Sequence, residues 1–529
     1  MKRLTVPLAA AALAAAALVP SALASTRGAF VMTAAGDTVA IERFERVDAR
    51  VTGVVLFKPA QLRTEYAIQL NADQSAASMT LDAHRSTDAA NAAPIQSATA
   101  EFVGDSVITF VNGGARTAFA SRAGAVPYLN PSMLLFEQVA RRGLAMRRES
   151  AGVPMFMVAG GKTIEAVVTR ANADTVVLSL GGLDIRLAMN AAGEVTGGAI
   201  PAQGVRITRA ESLPEGLLVS AKPDYSAPAD APYTAEEVRV RTSEGFELAG
   251  TLTKPKGPQG AKGRVPAVVT ITGSGSSDRD EAIPFVRGYR PFREVAEALA
   301  ARGIATLRLD DRGYGESGGN AARATSFDFS YDVEAAVKFL RARPDVDGAR
   351  LALVGHSEGG LIAPIVATRD PKLRGIVLLA GPAYDGARVI AFQQRQALER
   401  GGAKGAALDS LAAAAAAETD SASAKNAWLG WFRKHDPLNI ARSLRATPVL
   451  VLQGATDRQV TPEQAELLGK AFRDAGNRDV TVRVFPETNH LFLADPNGWG
   501  EGYSSLPDKH VRREVLDAIG EWLAPRLKK

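Results

Sequence analysis

The stretch that most limits how this chain can fold is Leu351-Ala352-Leu353-Val354-Gly355-His356-Ser357-Glu358-Gly359-Gly360, an apolar run that ends in a glycine-flanked serine. The run reads as a buried strand, and the mostly apolar Leu361 to Ala367 behind it reads as a helix. Passing from one to the other across a single serine demands a turn too tight for side chains two residues either side, so Gly355 and Gly359 stand where a Cβ would collide. A serine there sits at a strand end and a helix start, where free backbone N–H groups can meet an oxyanion. Ser357 is therefore read as a nucleophile for acyl transfer.

A serine hydroxyl needs a base in hydrogen-bond reach, itself oriented by an acid. The chain has five histidines. His84 belongs to the N-terminal half and reads as a surface residue. His356 adjoins the serine and is expected to point to the opposite side of its strand. His435 falls in an insertion, and His510 is expected to begin the last helix. His490, in Glu487-Thr488-Asn489-His490-Leu491-Phe492 directly after the last strand, remains as the base. Asp457 follows the strand Leu450 to Gly454 and is the expected acid; the alternative is a capping or turn aspartate, with Arg458 as its partner.

The oxyanion needs two backbone donors. One is the N–H of Glu358. The other comes from the loop Gly273-Ser274-Gly275-Ser276-Ser277-Asp278-Arg279-Asp280, where Ser274 is chosen and Gly275 held in reserve. A carboxylate at Glu358 would oppose an anionic intermediate, so it is expected to pair with a cation, Arg279 first. Asp310, Asp311 and Arg312 sit in a glycine-rich turn and read as structural, their side chains bonding the local backbone.

The Gly273 to Asp280 loop, the turn Asp310-Asp311-Arg312-Gly313-Tyr314-Gly315-Glu316-Ser317-Gly318-Gly319, the elbow, Asp457 and Asn489-His490-Leu491-Phe492 together resemble the α/β-hydrolase superfamily. The branch is similar to bacterial acyl-ester hydrolases related to prolyl oligopeptidases and serine aminopeptidases, and the resemblance covers about Tyr233 to Lys529. It implies an α/β-hydrolase fold with the triad in the order Ser357, Asp457, His490. Two departures stand out: Thr272 replaces the histidine many lipases carry, and Glu358 follows the nucleophile where oligopeptidases more often have an aromatic residue. The expected activity is that of a serine hydrolase cleaving small-molecule carboxylic esters through an acyl-enzyme. The alternatives are a peptidase or aminopeptidase acting on short peptides, and a ligand-binding protein with an inert hydrolase half. The mechanism implies no metal and no cofactor.

The remaining chain organises around that domain. Met1-Lys2-Arg3, an alanine- and leucine-rich run and Ala22-Leu23-Ala24 form an expected signal peptide over 1–24, which directs export to the periplasm or outside the cell. Once it is removed, no apolar run is long enough to span a bilayer. Residues 25–221 alternate short strands with turns and predict a mostly antiparallel β domain, with one helix capped by Asn130 and opened by Pro131. The proline-rich 222–233 reads as a linker, and 234–529 as alternating strands and helices with a helical cap inserted at about 382–447. The 62 Lys and Arg against 57 Asp and Glu, spread along the chain, leave no nucleic-acid footprint. The absence of cysteine excludes thiolate catalysis, Cys-ligated zinc and disulfides.

Overall fold

The computed structural model describes residues 25–528 apart from 35, 89–91, 159, 182, 214–217, 219–221, 257–262, 284–285 and 425. The expected signal peptide lies outside the described residues. The chain divides into two compact units, Met1–Ser220 and Ala221–Lys529.

In the first unit, fifteen strands among the described residues form one sheet, in which hairpins lay sequential strands side by side. Ser25–Ala34 lies at its centre, paired antiparallel with Asp37–Val47 on one side and with Val205–Ala210 on the other. The two margins return toward each other, with Thr163 donating to the Ser121 hydroxyl at 2.8 Å and Arg122 paired with Glu165. Apolar residues on one face of these strands pack with the helix Met133–Ala145, which buries Leu134, Leu135 and Val139. The helix cap is Ser132 rather than the expected Asn130: its hydroxyl accepts from the Leu135 amide and donates to Glu42 at 2.5 Å. Glu42 also accepts from the Tyr66 hydroxyl at 2.6 Å and the Leu134 amide at 3.0 Å, while burial pushes its pKa up. His84, expected on the surface, is buried near the end of the strand Ala76–Arg85, although alternation sets it on the face of exposed Thr80 and Asp82; there it lies opposite Arg63, which is also buried.

The second unit is built on eight strands: β1 (Tyr233–Arg241), β2 (Glu247–Pro255), β3 (Val265–Ile271), β4 (Ala305–Leu309), β5 (Val346–His356), β6 (Ile376–Leu379), β7 (Val449–Gly454) and β8 (Val480–Phe485). Their order across the sheet is β1-β2-β4-β3-β5-β6-β7-β8, with β2 antiparallel to both neighbours and β4 through β8 parallel. The central strands β3 and β6 are buried along their whole length and almost entirely apolar, as a sheet covered on both faces requires. Helices α1 (Pro291–Ala300), α2 (Ser326–Ala342) and α3 (Glu358–Arg369) connect β3 through β6. The α2 start is set by a capping box in which Thr325 and Asp328 each bond the other's backbone amide. The insertion after β6 carries α4 (Gly386–Arg400), α5 (Gly405–Ser423), α6 (Ala427–Phe432) and α7 (Pro437–Ala441). Then α8 (Glu463–Asp474) precedes β8, and α9 (Arg513–Lys528) ends the chain, so His510 lies before that helix rather than at its first turn.

The proline-rich segment read as a linker is bonded to the second unit at several points. Tyr225 lies under the Arg279 guanidinium, 4.1 Å from ring centroid to cation, and its hydroxyl donates to Asp278. Arg290 and Arg293 donate to the Asp224 carbonyl, Arg293 also to that of Ser226, and Lys222 pairs with Glu316. Composition sees few aliphatics there; the backbone carbonyls and one aromatic ring supply the attachment instead. Among the described residues no helix is long and apolar enough to cross a membrane.

Candidate active site

A parallel sheet delivers the carboxyl ends of its strands to one edge, and four loops meet there. β5 runs directly into α3 through Ser357, whose backbone takes φ 51° and ψ −113°. This is a strained left-handed conformation for a residue with a side chain, sustained by the Ser357 amide bonding to the Leu379 carbonyl of β6 at 2.8 Å. The flanking glycines do what the pattern demanded: a Cβ on Gly355 would overlap the Gly359 carbonyl, and one on Gly359 the Ile271 carbonyl at the end of β3. Glu358 is the first residue of α3, so its N–H has no acceptor within the helix.

The loop after β8 carries His490, which is buried with its Nδ1 2.7 Å from Asp457 Oδ2. A carboxylate can only accept, so Nδ1 holds the proton and Nε2 is left as the basic nitrogen. Asp457 is itself fixed: Oδ1 accepts from the Gln459 and Val460 amides at 2.8 and 3.0 Å, and Oδ2 also from Gln453 at 2.8 Å. Arg458, its alternative partner, instead donates to the Asn497 carbonyl and lies over Trp499. The His490 loop is braced by Asn489, whose Oδ1 accepts from the Leu491 and Leu493 amides.

Ser357, His490, Ser274 and Glu358 line one cavity of about 520 Å³, with apolar walls from Ile283, Val389, Ile390, Trp428, Phe432 and Leu491. Asp457 stands behind His490. The Ser274 loop runs against the nucleophile, a Cβ on Gly273 falling 3.2 Å from that of Ser357. Asp311, at the end of β4, clamps this loop at both ends, accepting from the Thr272 hydroxyl at 2.6 Å and the Ser277 amide at 2.8 Å. Burial pushes the Asp311 pKa well up. Thr272 thus holds the loop where a lipase-type histidine was missing. Asp310 takes Arg279, and Arg312 takes Asp332 and Glu244, so these side chains tie the turn to neighbouring segments instead of bonding its own backbone as expected.

Two expectations fail here. Glu358 does not pair with Arg279, whose guanidinium is committed to Asp310, Glu237 and Thr251. Neutral donors hold the Glu358 carboxyl instead, Ser326 Oγ at 2.5 Å and Trp428 Nε1 at 2.7 Å, and burial raises its pKa. Hydrogen bonds from neutral donors thus take the place of the cation beside the oxyanion site. His356 does not turn away: it lines the same cavity, its ring centroid 4.9 Å from that of His490. Sequence reasoning also passed over Glu281, which accepts from the Gly273 amide at 2.6 Å and faces His356 Nδ1 at 2.8 Å. Its one visible signal was a place in the acidic run after the glycine loop.

Among the described residues, no cluster of three or more His, Asp or Glu side chains is arranged to hold a metal ion. On the first unit, a groove of about 740 Å³ is lined by both signs of charge, including Arg27, Arg43, Glu45, Glu65 and Asp82.

The family model for serine aminopeptidases, S33, matches residues 286–497, a span that contains Ser357, Asp457 and His490. The chain is 32% identical over 288 residues to the esterase EstD of Thermotoga maritima, a match covering 52% of this chain and 65% of that protein. It is 26% identical over 254 residues to a monoacylglycerol lipase of Mycolicibacterium smegmatis, covering 45% of this chain and 84% of the lipase. The chain thus spans just under two thirds of the esterase, and it spans 47% of two uncharacterized Mycobacterium tuberculosis relatives. Among solved structures, the Pyrococcus furiosus esterase Pf2001 aligns over 58% of this chain and 99% of its own, at 19% identity and a TM-score of 0.38.

Proposed function

We propose that the chain is, through its second unit, an α/β-hydrolase and that it acts as a serine hydrolase cleaving carboxylic esters of small molecules through an acyl-enzyme. The observation that carries this reading is the buried Asp457–His490 hydrogen bond at the cavity where Ser357 occupies a strained elbow. Ser357 Oγ attacks the ester carbonyl as His490 Nε2 takes its proton, and the developing oxyanion is received by the N–H groups of Ser274 and Glu358. His490 returns the proton to the departing alkoxide. Water then repeats the sequence on the acyl-enzyme, with His490 again as base, and frees Ser357 and the acid.

The cavity wall favours an uncharged acyl group, since no lysine or arginine lines it among the described residues. The match to an aminopeptidase model supports a second reading, cleavage of short peptides. That reading requires an anchor for a free ammonium group; at the cavity Glu358 is held by Ser326 and Trp428, and Glu281 uses Oε1 for His356 and Gly273 while its Oε2 is buried. Turnover of short p-nitrophenyl esters and of aminoacyl anilides, measured side by side, separates the readings: faster ester cleavage supports ours, and faster anilide cleavage reverses it. A chain that neither turns over esters nor reacts with a fluorophosphonate probe is instead a binding protein with an inert hydrolase fold. Export through 1–24 is part of the same proposal, and recovery of the processed chain from the periplasm or medium tests it.

A further inference from the structure

We propose that His356 and Glu281 form a buried charged pair that ties the loop carrying the base to the loop carrying the oxyanion donor, His356 serving in it as an imidazolium. The proposal rests on the esterase reading for its consequence in catalysis, whereas the charge on His356 stands on geometry alone. Both ring nitrogens face oxygen acceptors: Nδ1 lies 2.8 Å from Glu281 Oε1, and Nε2 lies 3.0 Å from the His490 carbonyl. A carboxylate and a carbonyl have no proton to give, so each nitrogen must donate, and an imidazole ring with two N–H groups is a cation. A neutral ring would set a lone pair against one of these oxygens inside a buried site.

The connection is continuous. The Gly273 amide donates to Glu281 Oε1 at 2.6 Å, that same oxygen meets His356, and His356 reaches the backbone of the base itself. Three segments far apart in sequence, after β3, at the end of β5 and after β8, are thereby held by one ion pair. His356 touches neither the reacting atoms nor the triad side chains by hydrogen bond; it is a positioning residue, setting where the His490 backbone and the Ser274 loop stand. The second oxygen of Glu281 is buried with no hydrogen-bond partner among the described residues, which leaves His356 as the group that balances the carboxylate.

The ionisable groups facing this pair come from every neighbouring segment. Glu281 and, beyond it, Tyr289 lie on the β3 side, Asp311 at the end of β4, Asp457 after β7, and His490 after β8. Burial works against a charge on His356. The Glu281 carboxylate, its hydrogen bond, the His490 carbonyl and the field of Asp457 oppose that burial, and the balance raises the His356 pKa above its ordinary 6.5. Positioning is therefore complete below that ordinary value and is lost as pH rises through the raised one.

The test uses the full chain. Glu281→Gln keeps an acceptor for the Gly273 amide and nearly the same volume but removes the charge. Its kcat on p-nitrophenyl acetate at pH 7 is expected to fall ~10²-fold with KM nearly unchanged, the size of effect that misplacing reacting groups produces. Its alkaline loss of kcat/KM is expected at least about one pH unit below that of wild type, because the carboxylate that raised the His356 pKa is gone. An alkaline limb that does not move overturns the catalytic part. The charge is read independently by ¹⁵N resonances of histidine-labelled wild type, with His356 assigned through His356→Gln: two protonated ring nitrogens at pH 7 support the proposal, and a neutral-ring pattern overturns it. A protein without ester turnover or fluorophosphonate labelling would fail the esterase reading while leaving this last measurement decisive.

Discussion

The two units handle buried charge in different ways, and the difference follows from how their strands are connected. In the first, hairpins lay most strands beside their sequence neighbours, so turns are distributed along both edges and few loops remote in sequence meet. Its buried acids are consumed by the fold: Glu42 anchors the start of the helix Met133–Ala145, and Glu137 gathers Arg46, Arg141 and Arg209 around the Val195 amide. In the second, parallel crossovers send the ends of β3, β5, β7 and β8 to one edge, where Glu281, Glu358, Ser357, His356 and His490 line one cavity and Asp457 stands behind His490. Buried charge alone does not mark a reactive site; convergence of remote loops on open space does.

The strongest way to break this contrast is to remove the proposed nucleophile. Ser357→Ala is expected to lower ester turnover by about 10⁴- to 10⁶-fold and to abolish fluorophosphonate labelling, while circular dichroism and melting stay close to wild type. Retained labelling would place the reactive serine elsewhere, the first unit included.

Next in size is a core substitution in the first unit. Glu42→Ala leaves the Tyr66 and Ser132 hydroxyls and the Leu134 amide without their acceptor and opens a cavity. A loss of about 3–5 kcal/mol is expected in chemical denaturation followed for the first unit, with Ser357 still labelled by the probe. Loss of labelling in parallel would show that the two units are not separable in this way. The same site has a pH signature. Because the folded-state pKa of Glu42 lies above that of the free carboxyl, folding takes up a proton, and this group's contribution grows as pH is lowered from the raised value toward 4.5 and is lost as pH rises through the raised value. Melting of wild type against Glu42→Gln across that range measures it, and a pH-independent difference would deny the raised pKa.

A smaller effect sharpens the second unit. Trp428→Phe keeps the ring stacked on Phe432, centroids 5.0 Å apart, but deletes the indole N–H that holds Glu358. About a tenfold fall in kcat/KM is expected, as one hydrogen bond to a buried carboxyl beside the oxyanion is lost. The least is expected from Arg122→Ala, which breaks an exposed ion pair with Glu165 at the margin of the first sheet: under about 1 kcal/mol in stability and no change in turnover.

Much of this was legible in the chain itself, for identifiable reasons. The Ser357 elbow is a local steric statement, since two glycines and an apolar strand suffice to describe it. Strand alternation in 25–221 and the change to apolar strands and helices beyond β1 are likewise written in periodicities of a few residues. His490 and Asp457 could be named because each follows a recognisable strand, and the structure sets them side by side. Other residues carried no such signal. Ser132 outcompetes Asn130 as a cap only once Glu42, ninety residues earlier, has come to meet it. The segment 222–233 gives no periodic hint of attachment because its bonds run from Arg290 and Arg293 to backbone carbonyls and from two isolated side chains, Tyr225 and Lys222.

By itself, then, the sequence determined the order and kind of the elements, the strained turn at Ser357 and the chemical types available at the strand ends, because each depends on backbone sterics and side-chain periodicity over short distances. Only the tertiary structure decided which charges would be neighbours. Arg279 went to Asp310 instead of Glu358, and His356 came to Glu281 and to the backbone of His490. A buried charge takes the partner that the packed sheet brings within about 3 Å, and that choice is made between residues tens to hundreds of positions apart, where no local pattern reaches.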